Sequence, residues 1–125
     1  MTDPNHGRNN LPIDYAEVLE RIGGDVDFLA ELLKIYFEEF AEKRRLIQEA
    51  LERSDFNSIR ELGHSLKGAS ANLSLASLRN ASWQLEMAGR EKKSSNAQTA
   101  SRGLDAEFER LKDFLEKNPP DGQMI

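Results

Sequence analysis

Leu29, Leu32, Leu33, Tyr36, Phe40, Ile47 and Leu51 recur at intervals built from threes and fours. That spacing commits the segment to an amphipathic helix, because residues three and four apart share one helical face whereas a strand buries alternate positions. The same period returns downstream. Phe56, Ile59, Leu62, Leu66 and Leu73 form one stripe, Leu78, Ala81, Leu85 and Ala88 a second, and Ala97, Ala100, Leu104, Phe108, Leu111 and Leu115 a third in near-heptad register. No stretch alternates as a strand would, so the chain reads as all-α.

Local signals place the boundaries. Asp14 with Glu17 resembles a capping box opening a short helix, Asp14 to Ile22, which Gly23-Gly24 closes. Asp25 or Asp27 starts a long helix running to about Arg53. Ser54-Asp55 caps the next, which ends near Asn72-Leu73-Ser74. A fourth helix spans Leu75 to Lys92, a polar turn Lys92-Lys93-Ser94-Ser95-Asn96 follows, and a last helix begins at Ala97 and reaches Lys117, weakened slightly by Gly103. Tight turns favour antiparallel neighbours. The expected architecture is therefore an up-down-up-down four-helix bundle with the short N-terminal helix across one end. Residues 1–10, polar with Pro4 and Gly7, and residues 118–125, with Pro119-Pro120 and Gly122, read as flexible tails around a single domain, 11–117.

The whole chain bounds the chemistry. With 125 residues it can bury a core without disulfides or metal. Its net charge of -5, from 17 basic and 22 acidic residues, argues against nucleic acid or anionic membrane as the main partner. The absence of cysteine excludes disulfides and thiolate chemistry and fits a reducing compartment. With no bilayer-length apolar run and no secretory signal, the expectation is a cytoplasmic protein without membrane insertion.

One helix carries a reactive group. Counting about 100° per residue, Ile59, Leu62, Leu66, Ser70 and Leu73 cluster in one arc and His64 falls about 160° from its centre, so the imidazole faces outward. Arg60, Glu61, Lys67, Gly68 and Ala71 share that face. Glycine inside a helix costs about 0.5–1 kcal/mol relative to alanine, which invites a reason for Gly68. Access for another surface is one reason and helix packing the other; the position of Gly68 away from the core arc favours access. An exposed neutral imidazole is a competent nucleophile without a helper base, and phosphoryl oxygens placed on it would need the positive charge of Lys67 or Arg60. On these residues alone, a solvated polar face is the commoner explanation of such a histidine. A metal centre lacks ligands, since His6 is the only other histidine and Glu61 cannot complete a shell. No hydrolase triad or carboxylate pair can be placed, and Gly23-Gly24 lacks the strand and lysine of a phosphate loop.

The run His64-Ser65-Leu66-Lys67-Gly68-Ala69-Ser70-Ala71-Asn72-Leu73, continued by Leu78, Leu85-Glu86 and Gly89-Arg90, resembles the histidine-containing phosphotransfer (HPt) domain of multistep two-component phosphorelays. Upstream, Leu19-Glu20-Arg21-Ile22-Gly23-Gly24-Asp25 with Phe28-Leu29, Leu32-Leu33 and Phe37 is similar to the opening of that family. The resemblance implies a four-helix bundle with His64 as phospho-acceptor, Lys67 steadying the phosphoryl group and Gly68 giving a receiver domain access. It implies response-regulator receiver domains and a hybrid sensor histidine kinase as partners, with Mg²⁺ supplied by the receiver and no cofactor of the chain's own. By the same analogy Leu19, Ile22, Phe28, Leu32, Ala71 and Glu86 are candidates for the docking surface, although the apolar ones would equally serve to cap the core.

Two positions depart from the family pattern. Ser74 replaces a common glycine and is expected to cap the following helix; Glu86 stands where some relatives have glutamine, which leaves a supporting hydrogen bond to the histidine open. Dimerising histidine-kinase helices usually follow their histidine with an acidic residue and soon a proline. Here Ser65-Leu66 follow and no proline occurs between His64 and Pro119, so autokinase activity is not expected. The chain is expected to be a non-enzymatic, monomeric phosphorelay intermediate, free-standing or a fragment of a hybrid sensor kinase. A non-catalytic helical adaptor is the alternative.

Overall fold

A computed structural model describes residues 11–120, and these contain five helices and no strand. The helices are α1 (Tyr15–Arg21), α2 (Val26–Glu52), α3 (Phe56–Asn72), α4 (Ala76–Glu91) and α5 (Ser94–Lys117). Helices α2 to α5 form the up-down-up-down bundle, in which α3 packs on α4, α4 on α5, and α2 on both α3 and α5. Its core gathers the periodic residues: Leu29, Tyr36, Phe40, Ile59, Leu66, Leu78, Leu85, Leu104 and Leu111 are all buried. Phe40 stacks on Phe108 with ring centroids 3.9 Å apart.

The caps explain where the helices start. Asp25 and Asp55 accept hydrogen bonds from the backbone N–H of Phe28 and Ser58, three residues on, which settles the start of α2 in favour of Asp25. Asp14 likewise accepts from the Glu17 N–H. Its own N–H donates to the carbonyl of Ser74, at the far end of α3, rather than closing a reciprocal box within α1. Arg21 donates to the carbonyls of Ala71 and Asn72, the terminal acceptors that α3 cannot satisfy itself. Tyr15 Oη donates to Asn118 O at the end of α5. The short helix is thereby tied across the end of the bundle where α3 and α5 stop.

Two expectations are corrected. Ser74 does not cap α4: the N-cap is Leu75, which makes no side-chain cap bond, and Ser74 occupies the left-handed region at φ 57° with its hydroxyl buried and unpartnered. The reversal between α3 and α4 needs a positive φ, and that demand leaves the hydroxyl pointing where nothing receives it. The polar turn before the last helix is also shorter than expected. Lys92 at φ 57° ends α4, Lys93 is the N-cap of α5, and Ser94, Ser95 and Asn96 form its first turn. Residues 1–10 and 121–125, assigned to tails above, lie outside the described residues.

Candidate functional site

The site is built on the contact between α3 and α4, and two glycines set how close these helices come. A Cβ at Gly63 would stand 2.5 Å from the backbone nitrogen of Glu86, and one at Gly89 would stand 2.5 Å from that of Arg60. Neither can carry a side chain without parting the helices. Each backbone therefore lies directly on the other, which puts residue 86 of α4 beside residue 64 of α3.

Three basic groups converge on the Glu86 carboxylate. Its Oε2 is 3.1 Å from His64 Nδ1, its Oε1 is 2.7 Å from Lys67 Nζ, and Arg90, one turn along α4, brings a guanidinium nitrogen to 3.5 Å from Oε2. Glu86 is 5% exposed whereas the His64 side chain is 68% exposed, so a buried carboxylate holds the inner nitrogen of a ring whose outer edge meets solvent. The Lys67 ammonium, opposed by burial and aided by the bond to His64, holds the Glu86 carboxyl below the usual carboxylate range. An ionised Glu86 can only accept, so Nδ1 must be the nitrogen that bears hydrogen. In the neutral ring this leaves the Nε2 lone pair free and outward.

The remaining expected residues divide clearly. A Cβ at Gly68 would meet nothing within 4 Å, so helix packing explains Gly63 and Gly89 but not Gly68. Arg60, expected to support charge at His64, instead donates to Asn57 Oδ1 at 3.1 Å; the arginine near the histidine's carboxylate is Arg90. Of the docking candidates, Phe28 is exposed, Leu19, Ile22, Leu32 and Ala71 are half-buried, and Glu86 is buried within the site itself. A shallow groove beside α3 joins Ile22, Leu32, Ile35, Ala69 and Leu73. Ile35, 48% exposed, was missing from the sequence reading although it lies three residues after Leu32.

Among the described residues no cluster of His, Asp and Glu is arranged to hold a metal ion, and no helix is long and apolar enough to cross a membrane. Comparison with curated proteins finds no match. Comparison with family models gives a match over residues 31–114, to the model described as Hpt domain. The matched span takes in His64, Lys67, Gly68, Glu86 and Arg90, the whole of the cluster.

Proposed function

The chain belongs to the Hpt domain family, whose members carry phosphoryl groups in phosphorelays, and from that premise we propose that it accepts a phosphoryl group on His64 Nε2 from the phospho-aspartate of a receiver domain and passes it to the aspartate of another. The observation that carries this reading is the exposed imidazole whose Nδ1 is bound to a buried, ionised Glu86.

The Nε2 lone pair attacks phosphorus in line while the bond from phosphorus to the aspartyl oxygen breaks and the aspartate leaves as carboxylate. The proton on Nδ1 stays where it is. The ring thereby becomes a phosphoimidazolium, whose positive charge faces the Glu86 carboxylate 3.1 Å away. In the return step the phosphoryl group moves to a second carboxylate and Nε2 recovers its lone pair. Lys67, on the turn after His64, is the nearest ammonium to steady the phosphoryl oxygens. Mg²⁺ and most of the transition-state stabilisation come from the receiver; this chain supplies nucleophile, orientation and docking surface.

Phe28 and the groove-side residues Ile22 and Leu32, with Leu19 and Ala71, form the docking surface in this reading, and Gly68 leaves the approach to Nε2 open. The chain works as a monomer in the cytoplasm, fed through the receiver of a hybrid sensor histidine kinase, and has no autokinase activity. The test mixes the chain with phosphorylated receivers and looks for acid-labile, alkali-stable label. Label on the wild-type chain and none on His64→Gln is expected. No label from any receiver of a broad panel would leave the helical adaptor as the better account.

A further inference from the structure

Glu86 has more cations than a single carboxylate needs. Lys67 sits on Oε1 at 2.7 Å, whereas Arg90, four residues along the same helix, stands off Oε2 at 3.5 Å with its side chain 57% exposed. The closer cation is also the one that the function proposed above sends elsewhere: once a dianionic phosphoryl group is on Nε2, Lys67 Nζ is drawn toward it. If Lys67 left and nothing replaced it, a carboxylate buried on α4 would lose its main counter-charge. The nearest proton it can take is the one on Nδ1 of the phosphoimidazolium. Taking it would turn Glu86 from acceptor to donor and remove the ring's positive charge, the attraction that anchors Nδ1.

We propose that Arg90 is a positioning residue that takes over the Glu86 carboxylate when Lys67 turns to the phosphoryl group, so that His64 Nδ1 stays anchored while Nε2 is loaded. The inference rests on His64 being the acceptor. Its geometry is independent of any partner: the guanidinium starts within about an ångström of hydrogen-bonding distance. Being longer and more exposed than Lys67, it can close on Oε2 without moving either helix. The charged groups facing Glu86 are His64 and Lys67 from α3 and Arg90 from its own helix.

The test loads the full chain with phosphoramidate, a small reagent that phosphorylates histidine without a receiver, and follows exchange of the His64 Nδ1 hydrogen with solvent by nitrogen NMR at about pH 8, where the phosphoryl group survives. In the unloaded state Arg90→Gln is expected to exchange close to wild type, because Lys67 still holds Oε1. In the loaded state the Nδ1 hydrogen of Arg90→Gln is expected to exchange about tenfold or more faster than that of loaded wild type, and Arg90→Lys to restore it. A Lys67→Gln background should reproduce this dependence on Arg90 without any phosphoryl group. A loaded Arg90→Gln chain whose Nδ1 hydrogen exchanges as in loaded wild type overturns the role of Arg90 alone. Failure of His64 to load in wild type overturns the reading of His64 and this role with it.

Discussion

His64 Nδ1 lies 3.1 Å from Glu86 Oε2, a contact between residues 22 apart in the chain that exists because Gly63 lets α4 rest on the backbone of α3. The edge of the imidazole that meets solvent is thus set by the edge that is held inside. Glu86 fixes which nitrogen carries hydrogen, Lys67 keeps Glu86 charged, and the glycines fix the distance.

The charge on Glu86 makes the site a source of pH-dependent stability. Its folded-state carboxyl is depressed, so the contribution is present above the unfolded value and is lost as pH falls through the lower folded value. Thermal melts from pH 6 down to about pH 3 should show wild type losing stability faster than Glu86→Gln below about pH 4.5. Parallel profiles would contradict an ionised, paired Glu86.

The glycines separate packing from access. Gly63→Ala forces a Cβ into the backbone of Glu86 and is expected to cost about 1–3 kcal/mol, measured by denaturant unfolding. Gly68→Ala meets open space and should be neutral or stabilising by up to about 1 kcal/mol. Gly68→Gln should fold as wild type yet slow label transfer from a receiver by about tenfold or more, since its only obstacle is to an approaching surface. Equal stability losses at Gly63 and Gly68 would remove the distinction.

Ser74 holds a left-handed conformation with a buried hydroxyl that has no partner. Replacing it by glycine removes both penalties, and Ser74→Gly is expected to gain about 1 kcal/mol. Ser74→Ala relieves only the hydroxyl and should gain less. The order of the two midpoints in urea checks the assignment.

Tyr36 donates to or accepts from Ser70 Oγ at 2.8 Å inside the bundle, and burial pushes its phenol up to about 12 against the weaker opposing effect of that hydrogen bond. A raised folded value means stability is complete below the unfolded value near 10 and drains away as pH rises toward about 12. Tyr36→Phe should therefore flatten the alkaline limb of the stability profile. At neutral pH it should cost about 1 kcal/mol by leaving Ser70 unpaired.

The helices were legible in the sequence because their causes are local: apolar period, the aspartate caps at Asp14, Asp25 and Asp55, and the stop at Gly23-Gly24. The outward face of His64 followed from the same periodicity. Composition misled at Ser94-Ser95-Asn96, where polar residues suited to a loop begin α5 because Lys92 reverses the chain alone. What periodicity could not supply was the partner of each polar group. Glu86 and Arg90 stood in the motif at helical spacing, but that Lys67 would face Glu86, and Arg60 would turn to Asn57, depends on how closely α3 and α4 approach. The signal for that was available in Gly63 and Gly89, which invite a close crossing as Gly68 invites an approaching surface.

In the proposed relay His64 both receives and returns phosphate. Chain loaded on His64 and freed of its donor is mixed with an unphosphorylated receiver and Mg²⁺, and label is counted on both proteins over time. Label lost from the chain is expected to reappear on the receiver, and a receiver lacking its acceptor aspartate is expected to take none. Label that leaves His64 only as free phosphate, at the same rate with or without any receiver of a broad panel, would contradict it.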